Sequence, residues 1–139
     1  DLSASILLGG QIRGEAPRLF NVYAEGNFIE AGPDTPFFQI GEHKYGKPIL
    51  DRVARPSMSL PDGAKLLLLS FDSTMHSNLS VGMPLDFLLY RTDSLEVALE
   101  RRIDRDDPYF QALSQGWSAS LREAFARMAG LDLGEPVAK

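Results

Sequence analysis

The pattern of apolar and polar positions is most regular from Ser59 to Tyr90, where it predicts a helix, a polar turn and a strand. Ser59 precedes Asp62 by three residues, which is the spacing of a capping-box-like helix start. Polar residues from Ser77 to Gly82 end the helix, and the apolar run from Leu85 to Tyr90 is typical of a short buried strand. The apolar face of the helix recurs every three or four residues and consists of Leu60, Ala64, Leu67, Leu68, Phe71 and Met75, widened by Leu66 and Leu69.

Three segments before this helix predict antiparallel strands. Ser5 to Gln11 is rich in Ile and Leu, and Arg18 to Tyr23 alternates apolar with polar residues, so one face of the second segment is expected to be buried. The turn residues Ala24 to Asn27 separate it from Phe28 and Ile29, which predicts a hairpin.

Further elements are predicted on both sides of the central helix. A helix is expected after Gly41, with a kink or close packing at Pro48. Leu95 to Glu100 alternates with period two, as a half-exposed strand does. Asp106-Asp107-Pro108 predicts the start of a last helix, because acidic side chains favour the positive end of the helix dipole. The apolar faces expected on these helices are Tyr45, Ile49, Leu50 and Val53 on the first, and Phe110, Leu113, Trp117, Leu121, Phe125 and Met128 on the last. Strands in two groups with helices outside them predict an α+β layered sandwich.

The composition narrows the class of protein. Fourteen basic and 19 acidic residues among 139 give a net charge of −5, and no basic cluster is interleaved with aromatic residues, which argues against nucleic acid as a partner. Cysteine is absent, and no apolar run reaches the ~18 residues of a membrane span. We expect one cytoplasmic domain over residues 1–130 with a frayed tail over 131–139, no membrane association and no cofactor. Because the chain opens on Asp1 without Met, we also expect a piece of a longer polypeptide.

Three sequence runs carry a resemblance to a known family. They are FFQIGEHKYGKPILDR, LLSFDSTMHSNLSVGMPLDFLLY and DDPYFQAL. Together with the order of the predicted elements, they resemble the C-terminal half of proteasome β-type subunits, and more closely the ancestral β-subunit, or Anbu, group of bacterial proteasome homologues. The resemblance covers nearly all of Ser3 to Met128.

This resemblance implies a fold and an activity. The fold is the four-layer αββα sandwich of the N-terminal nucleophile hydrolases, of which this chain would be the C-terminal half. The activity is that of a threonine-type endopeptidase whose nucleophile is the N-terminal residue of the mature subunit, so it would lie in the half that is absent from this sequence, and Asp1 cannot take its role. The implied partners are the N-terminal half of the same subunit, identical subunits in a ring or spiral, and a polypeptide substrate.

The resemblance also implies five residues that support the active site. Proteasome β subunits use a Gly-Ser and an Asp-x-x-Ser to position the N-terminal residue, and this chain has Gly41 and Glu42 at the first position. At the second, two alignments stay open: Ser77 and Ser80 match the spacing, whereas counting along the helix puts Asn78 at the acidic position. We therefore take Gly41, Glu42, Ser77, Asn78 and Ser80 as candidate supporting residues.

Other hypotheses stay open beside this one. Helix termination and turn formation alone explain Ser77 to Gly82, and Glu42 can be an ordinary acid in a first helical turn. The departures at Glu42 and Asn78 also allow a non-catalytic assembly or scaffold subunit. A small-molecule enzyme would instead use Asp72 and His76, an i,i+4 pair on one helix. No set of ligands with metal-site spacing accompanies either histidine, so no metal is expected.

Overall fold

The computed structural model describes residues 4–134 and has the predicted order of elements. Three strands are followed by two helices, a hairpin and a last helix. The elements are β1 (Ile6–Gly10), β2 (Arg18–Val22), β3 (Phe28–Glu30), α1 (Lys47–Val53), α2 (Leu60–Ser77), β4 (Leu85–Tyr90), β5 (Val97–Ile103) and α3 (Pro108–Arg127). The mixed α+β class and the two groups of strands are confirmed. Residues 131–134 of the expected tail form no regular element, and the rest of that tail lies outside the described residues.

The strands form two separate antiparallel sheets. One sheet has the order β1-β2-β3, and the other is the β4-β5 hairpin. In the first sheet Ile6 lies opposite Val22, which in turn lies opposite Phe28, so these apolar side chains share one face. Ile6 and Phe28 are 56% and 63% exposed, so this face is left open by residues 4–134.

Gln11 joins the two sheets at their ends. Its side-chain oxygen accepts hydrogen bonds from the Tyr90 hydroxyl and the Asp93 backbone N–H, both at 2.8 Å. Its Nε2 donates to the Asp93 carboxylate at 2.7 Å and to the Glu15 carbonyl at 2.6 Å. The loop after β1 is thus tied to the β4–β5 turn by a single side chain.

Helix α2 begins as the capping pattern predicts. The Ser59 hydroxyl accepts a hydrogen bond from the Asp62 backbone N–H at 3.2 Å, which satisfies one of the free donors of the first turn. The residue before α1, Gly46, is buried against the middle of α2. A Cβ at Gly46 would lie 2.8 Å from the Ser70 carbonyl oxygen and 2.9 Å from Thr74 Oγ1. Only glycine allows the two helices to approach this closely.

A small core lies between α2, the hairpin and α3. Its buried members are Leu68, Ile103 and Phe110. Asp107 caps α3 by accepting a hydrogen bond from the Phe110 backbone N–H at 3.0 Å, and it also pairs with Arg101 of β5. Partly buried residues packed against the core are Met75, Met83, Leu85, Phe87 and Leu113.

The structure corrects two boundaries and the role of Pro48. The helix expected after Gly41 begins only at Lys47, because residues 41–46 form bends and turns. Pro48 therefore lies in the first turn of α1, where its missing N–H is tolerated, and it does not kink the helix. The strand expected at Leu95 begins instead at Val97, since Leu95 has a φ of +53°, which a strand residue cannot adopt.

Residues 4–134 leave much of the predicted apolar surface exposed. Leu67 and Phe71 of α2 are 42% and 44% exposed, and Phe125 near the end of α3 is 78% exposed. Strand β4 alternates between half-buried and exposed positions, although a buried strand was expected. Periodicity identifies an apolar face, but whether that face is covered depends on which elements pack against it. Among the described helices, none combines the length and apolar character needed to cross a membrane.

Candidate functional site

Glu42, Asn78 and Ser80 form a chain of side-chain hydrogen bonds. The Asn78 Nδ2 group donates to Glu42 Oε2 at 3.0 Å. The Asn78 Oδ1 atom accepts from the Ser80 hydroxyl at 2.8 Å and from the Ser80 backbone N–H at 2.9 Å. The carboxylate of Glu42 is therefore linked through a neutral amide to a hydroxyl.

The turn before α1 presents Glu42. Gly41 has a φ of +77°, a left-handed conformation that favours glycine. The Glu42 Oε1 atom accepts a hydrogen bond from the Lys44 backbone N–H at 3.0 Å. Each oxygen of this half-buried carboxylate thus accepts one hydrogen bond from an N–H donor. The close packing of Gly46 on α2 keeps this turn beside the end of α2.

The end of α2 presents Asn78. Asn78 is the C-cap, and its backbone N–H donates to the Thr74 carbonyl at 2.8 Å. Its extended backbone conformation, with φ −139° and ψ 112°, turns the chain out of the helix axis. The Val81 backbone N–H then donates to the Asn78 carbonyl at 3.3 Å, which closes the turn. The sequence Ser-Asn-Leu-Ser folds in this way because Asn can accept hydrogen bonds from the backbone two residues ahead.

Four of the five candidate supporting residues lie together. Gly41 shapes the turn, and Glu42, Asn78 and Ser80 are directly hydrogen-bonded. Ser77 is the exposed last residue of α2, and its side chain makes no hydrogen bond to any residue in 4–134. Of the two alignments that the sequence leaves open, the contacts link Asn78, not Ser77, to Glu42.

This arrangement offers an anionic acceptor and a polar neighbour to a positively charged group. Glu42 supplies the negative charge, and Asn78 holds its carboxylate in one orientation. Ser80 donates its proton to Asn78 and keeps its oxygen lone pairs for a further donor. An ammonium group in hydrogen-bond reach of this chain would be stabilised in its charged form.

Asp72 and His76 line a cavity of about 400 Å³ together with Arg105 and Phe110, and this cavity includes neither Glu42 nor Asn78. The two side chains are not hydrogen-bonded to each other in the described structure. Residues 4–134 contain no group of three or more metal-ligating side chains.

The sequence analysis missed a second cavity, of about 470 Å³, which is lined by Asn21 and Gln39. Each of these residues carries a buried amide oxygen that has no hydrogen-bond donor within residues 4–134. Asn21 is the fourth of the five residues of β2 and lies between Phe20 and Val22. The available signal was a polar residue between two apolar residues inside a predicted strand.

Comparison with known proteins identifies the class. No protein-family model and no curated protein matches the chain. Solved structures do match: Anbu from Hyphomicrobium sp. strain MC1 is 61% identical with a TM-score of 0.92, covering 96% of this chain and 57% of that one. Anbu (ancestral beta-subunit) from Yersinia bercovieri is 52% identical with a TM-score of 0.91, covering 95% of this chain and 56% of that one. The protein in a helical assembly of the Anbu complex from Pseudomonas aeruginosa is 49% identical with a TM-score of 0.91, covering 98% of this chain and 56% of that one.

The fold is therefore the proteasome type of the N-terminal nucleophile hydrolases, and residues 4–134 correspond to the C-terminal half of its αββα sandwich. The chain belongs to the Anbu, or ancestral β-subunit, family of proteasome-type proteins, as its sequence resemblance indicated. It spans slightly more than half the length of the solved relatives that it matches.

Proposed function

We propose that this chain is the C-terminal half of a proteasome-like N-terminal nucleophile peptidase that hydrolyses polypeptides inside a particle built from identical subunits. The observation that carries the proposal is the hydrogen-bonded chain from Glu42 through Asn78 to Ser80, in a fold shared with Anbu proteins. The solved Pseudomonas aeruginosa protein is described as a helical assembly, which supports a ring or spiral of identical subunits here. The proposed compartment is the cytoplasm.

In this proposal the chain supplies the wall of the active site. The nucleophile is the N-terminal Thr, Ser or Cys of the remaining part of the subunit, and its own amine or a neighbouring Lys takes the proton. Glu42 stabilises the positive charge that forms on the amine. Asn78 and Ser80 fix the orientation of the amine by hydrogen bonds. Gly41 provides the turn that brings Glu42 to this position, and Ser77 stays a predicted supporting residue.

The open faces of the chain support a covering partner from the same subunit. The face of the first sheet that carries Ile6 and Phe28 is exposed, and burial of apolar surface is the main force that holds layers together. Phe28 and Phe20 pack edge to face at 5.7 Å, so the aromatic part of this face is already ordered. We place the remaining half of the subunit against it, and residues 1–130 form part of a single domain.

The test uses the intact subunit and a set of fluorogenic peptides. Glu42→Gln keeps a hydrogen-bond acceptor for Asn78 but removes the charge, so we expect kcat to fall by about 10- to 100-fold with the particle still assembled. Glu25→Gln makes the same charge change on an exposed turn and serves as the matched control. Blocking the N-terminal amine should abolish turnover.

The scaffold hypothesis gives a different result. Assembled particles that hydrolyse none of the peptides, before and after removal of any residues that precede the nucleophile, would favour a non-catalytic assembly subunit. Turnover that survives a blocked N-terminus but is lost in His76→Ala would favour the hypothesis of an enzyme that works through Asp72 and His76.

A further inference from the structure

The second cavity, which is lined by Asn21 and Gln39, lies between the first sheet and the start of α1. Its volume of about 470 Å³ is within the range of roughly 300–1,000 Å³ that is typical of ligand sites. Strand β2 contributes Asn21, and α1 contributes Lys47 and Asp51. His43 also lines the cavity, so it opens directly beside the turn that carries Glu42.

Asn21 and Gln39, which line this cavity, each carry a buried side-chain oxygen that has no hydrogen-bond donor within residues 4–134. Asn21 is only 8% exposed, and its Oδ1 atom has no partner within residues 4–134. The Oε1 atom of Gln39 is also buried and unpaired in the same part of the chain. Buried polar atoms in folded proteins are nearly always paired, so two unpaired acceptors in one cavity indicate a donor that binds there.

The charges lining the cavity do not balance. Both oxygens of Asp51 accept from the Lys47 ammonium, at 2.8 and 2.7 Å. The Asp34 carboxylate has no ion-pair or hydrogen-bond partner among the described residues, although it lines the same cavity. With His43 counted as neutral, one negative charge is left over in the lining, and an uncompensated negative charge favours a cation nearby.

Aromatic rings complete the walls. Tyr23, Phe37 and Phe38 line the cavity together with Ile29. Aromatic faces attract cations and also cover the aliphatic stems of long basic side chains. Aromatic walls do not favour a free metal ion or a small anion. A long cationic side chain, in contrast, can contact both the aromatic rings and the hydrogen-bond acceptors.

We propose that this cavity binds a lysine or arginine side chain of a polypeptide. The inference rests on the proposed function, because it specifies the substrate as a polypeptide with a basic residue close to the peptide bond that is cleaved near Glu42. Asn21 and Gln39 accept hydrogen bonds from the cationic head, Asp34 balances its charge, and the aromatic residues contact its stem.

Direct binding to the intact subunit tests the cavity without any need for turnover. Fluorescence anisotropy compares two labelled peptides that differ at one residue, arginine or the neutral isostere citrulline. We expect the arginine peptide to bind about tenfold more tightly. Asp34→Asn, at an exposed position where the fold is not disturbed, should remove most of this preference. Asp72→Asn makes the same charge change in another cavity and should leave the preference intact.

Asn21→Leu gives a second readout, because leucine is similar in size to asparagine but has no hydrogen-bond acceptor. It should weaken binding of the arginine peptide about tenfold and that of the citrulline peptide by a smaller factor, because the lost hydrogen bond comes from a charged donor in arginine and from a neutral donor in citrulline. Equal affinity for the two peptides would overturn the proposal, and so would a preference for arginine that survives both Asp34→Asn and Asn21→Leu. The proposal would also be overturned if the remaining half of the subunit fills the cavity and excludes both peptides. Selective binding of the arginine peptide by a subunit that hydrolyses no peptide would refute the proposed peptidase and leave the basic-residue site standing.

Discussion

The side-chain amide of Asn78 donates a 3.0 Å hydrogen bond to the carboxylate of Glu42, a residue 36 positions earlier in the chain. This contact joins the turn before α1 to the end of α2. Both ends of it are further anchored by local hydrogen bonds, from Lys44 to Glu42 and from Ser80 to Asn78. Two of the four predictions below concern this contact and the packing that supports it, and the other two concern the cap of α3 and the link between the two sheets.

Asn78→Asp should destabilise the protein at neutral pH. It places a second carboxylate next to Glu42, and two like charges in contact raise the pKa of one of them. A folded-state pKa above the unfolded value means that stability is lost above pH 4–5 or so and recovered as the solution is acidified. We expect Tm to fall by about 3–5 °C at pH 7, measured by circular dichroism. The double variant with Glu42→Gln should recover the loss, and a wild-type Tm for the single variant would show that the contact does not form.

Gly46→Ala should be destabilising by about 1–3 kcal/mol, the usual cost of overpacking. Its Cβ would meet the Ser70 carbonyl oxygen at 2.8 Å and push α1 away from α2. The matched control is Gly63→Ala in α2, where a Cβ has open space. Since alanine is the better helix former, this control should be stabilised by about 0.5–1 kcal/mol. Urea unfolding of both variants gives the comparison, and equal effects on the two free energies of unfolding would contradict the close approach.

The cap of α3 should make stability depend on pH in the acid range. The hydrogen bond from the Phe110 backbone N–H, with a smaller contribution from Arg101, holds the pKa of Asp107 below its ordinary value of 3.8. Because the folded-state pKa is lowered, its stabilising contribution is present above pH 3.8 and is lost as the pH falls through the lowered value.

Asp107→Asn keeps a capping oxygen but does not titrate, so its Tm should fall less steeply between pH 5 and pH 2 or so than that of the wild type. Asp106→Asn, one residue earlier, is the control and should keep the wild-type slope. Identical slopes for wild type and Asp107→Asn would rule out this role of the cap.

Gln11→Ala should loosen the link between the two sheets. It removes the acceptor for the Tyr90 hydroxyl and for the Asp93 N–H, each bonded at 2.8 Å. We expect a loss of about 1–3 kcal/mol, because the partly buried Tyr90 hydroxyl loses an acceptor. Gln111→Ala removes only one exposed hydrogen bond, to the Arg105 carbonyl, and should cost less than about 0.5 kcal/mol. Hydrogen exchange of the β4–β5 hairpin should also become faster in Gln11→Ala alone.

Local patterns predicted the elements well where local chemistry decides them. The N-caps at Ser59 and Asp107 and the strand from Leu85 to Tyr90 are where the sequence placed them. The start of α1 was predicted too early because a run of suitable apolar spacing from Tyr45 is interrupted by the turn around Gly41 to Gly46. The family was recognised from the same local runs, and solved Anbu structures confirm it.

The burial of the apolar faces was less predictable. The spacing of Leu67, Phe71 and Phe125 marks an apolar face in each helix, yet all three are exposed in the described chain. An apolar stripe shows that a surface favours contact, and it does not show which element supplies the contact.

The sequence by itself determined the set of elements, their caps and the family. The elements and caps depend on residues within about one or two helical turns, and the family depends on runs of similar sequence. Only the tertiary structure decided that Asn78 and not Ser77 contacts Glu42, and that Asn21 and Gln39 share a cavity with Asp34. These relationships depend on how α1 packs on α2 through Gly46 and how β2 faces α1. Contacts between residues far apart in the chain follow from packing, which the local pattern of residues does not encode.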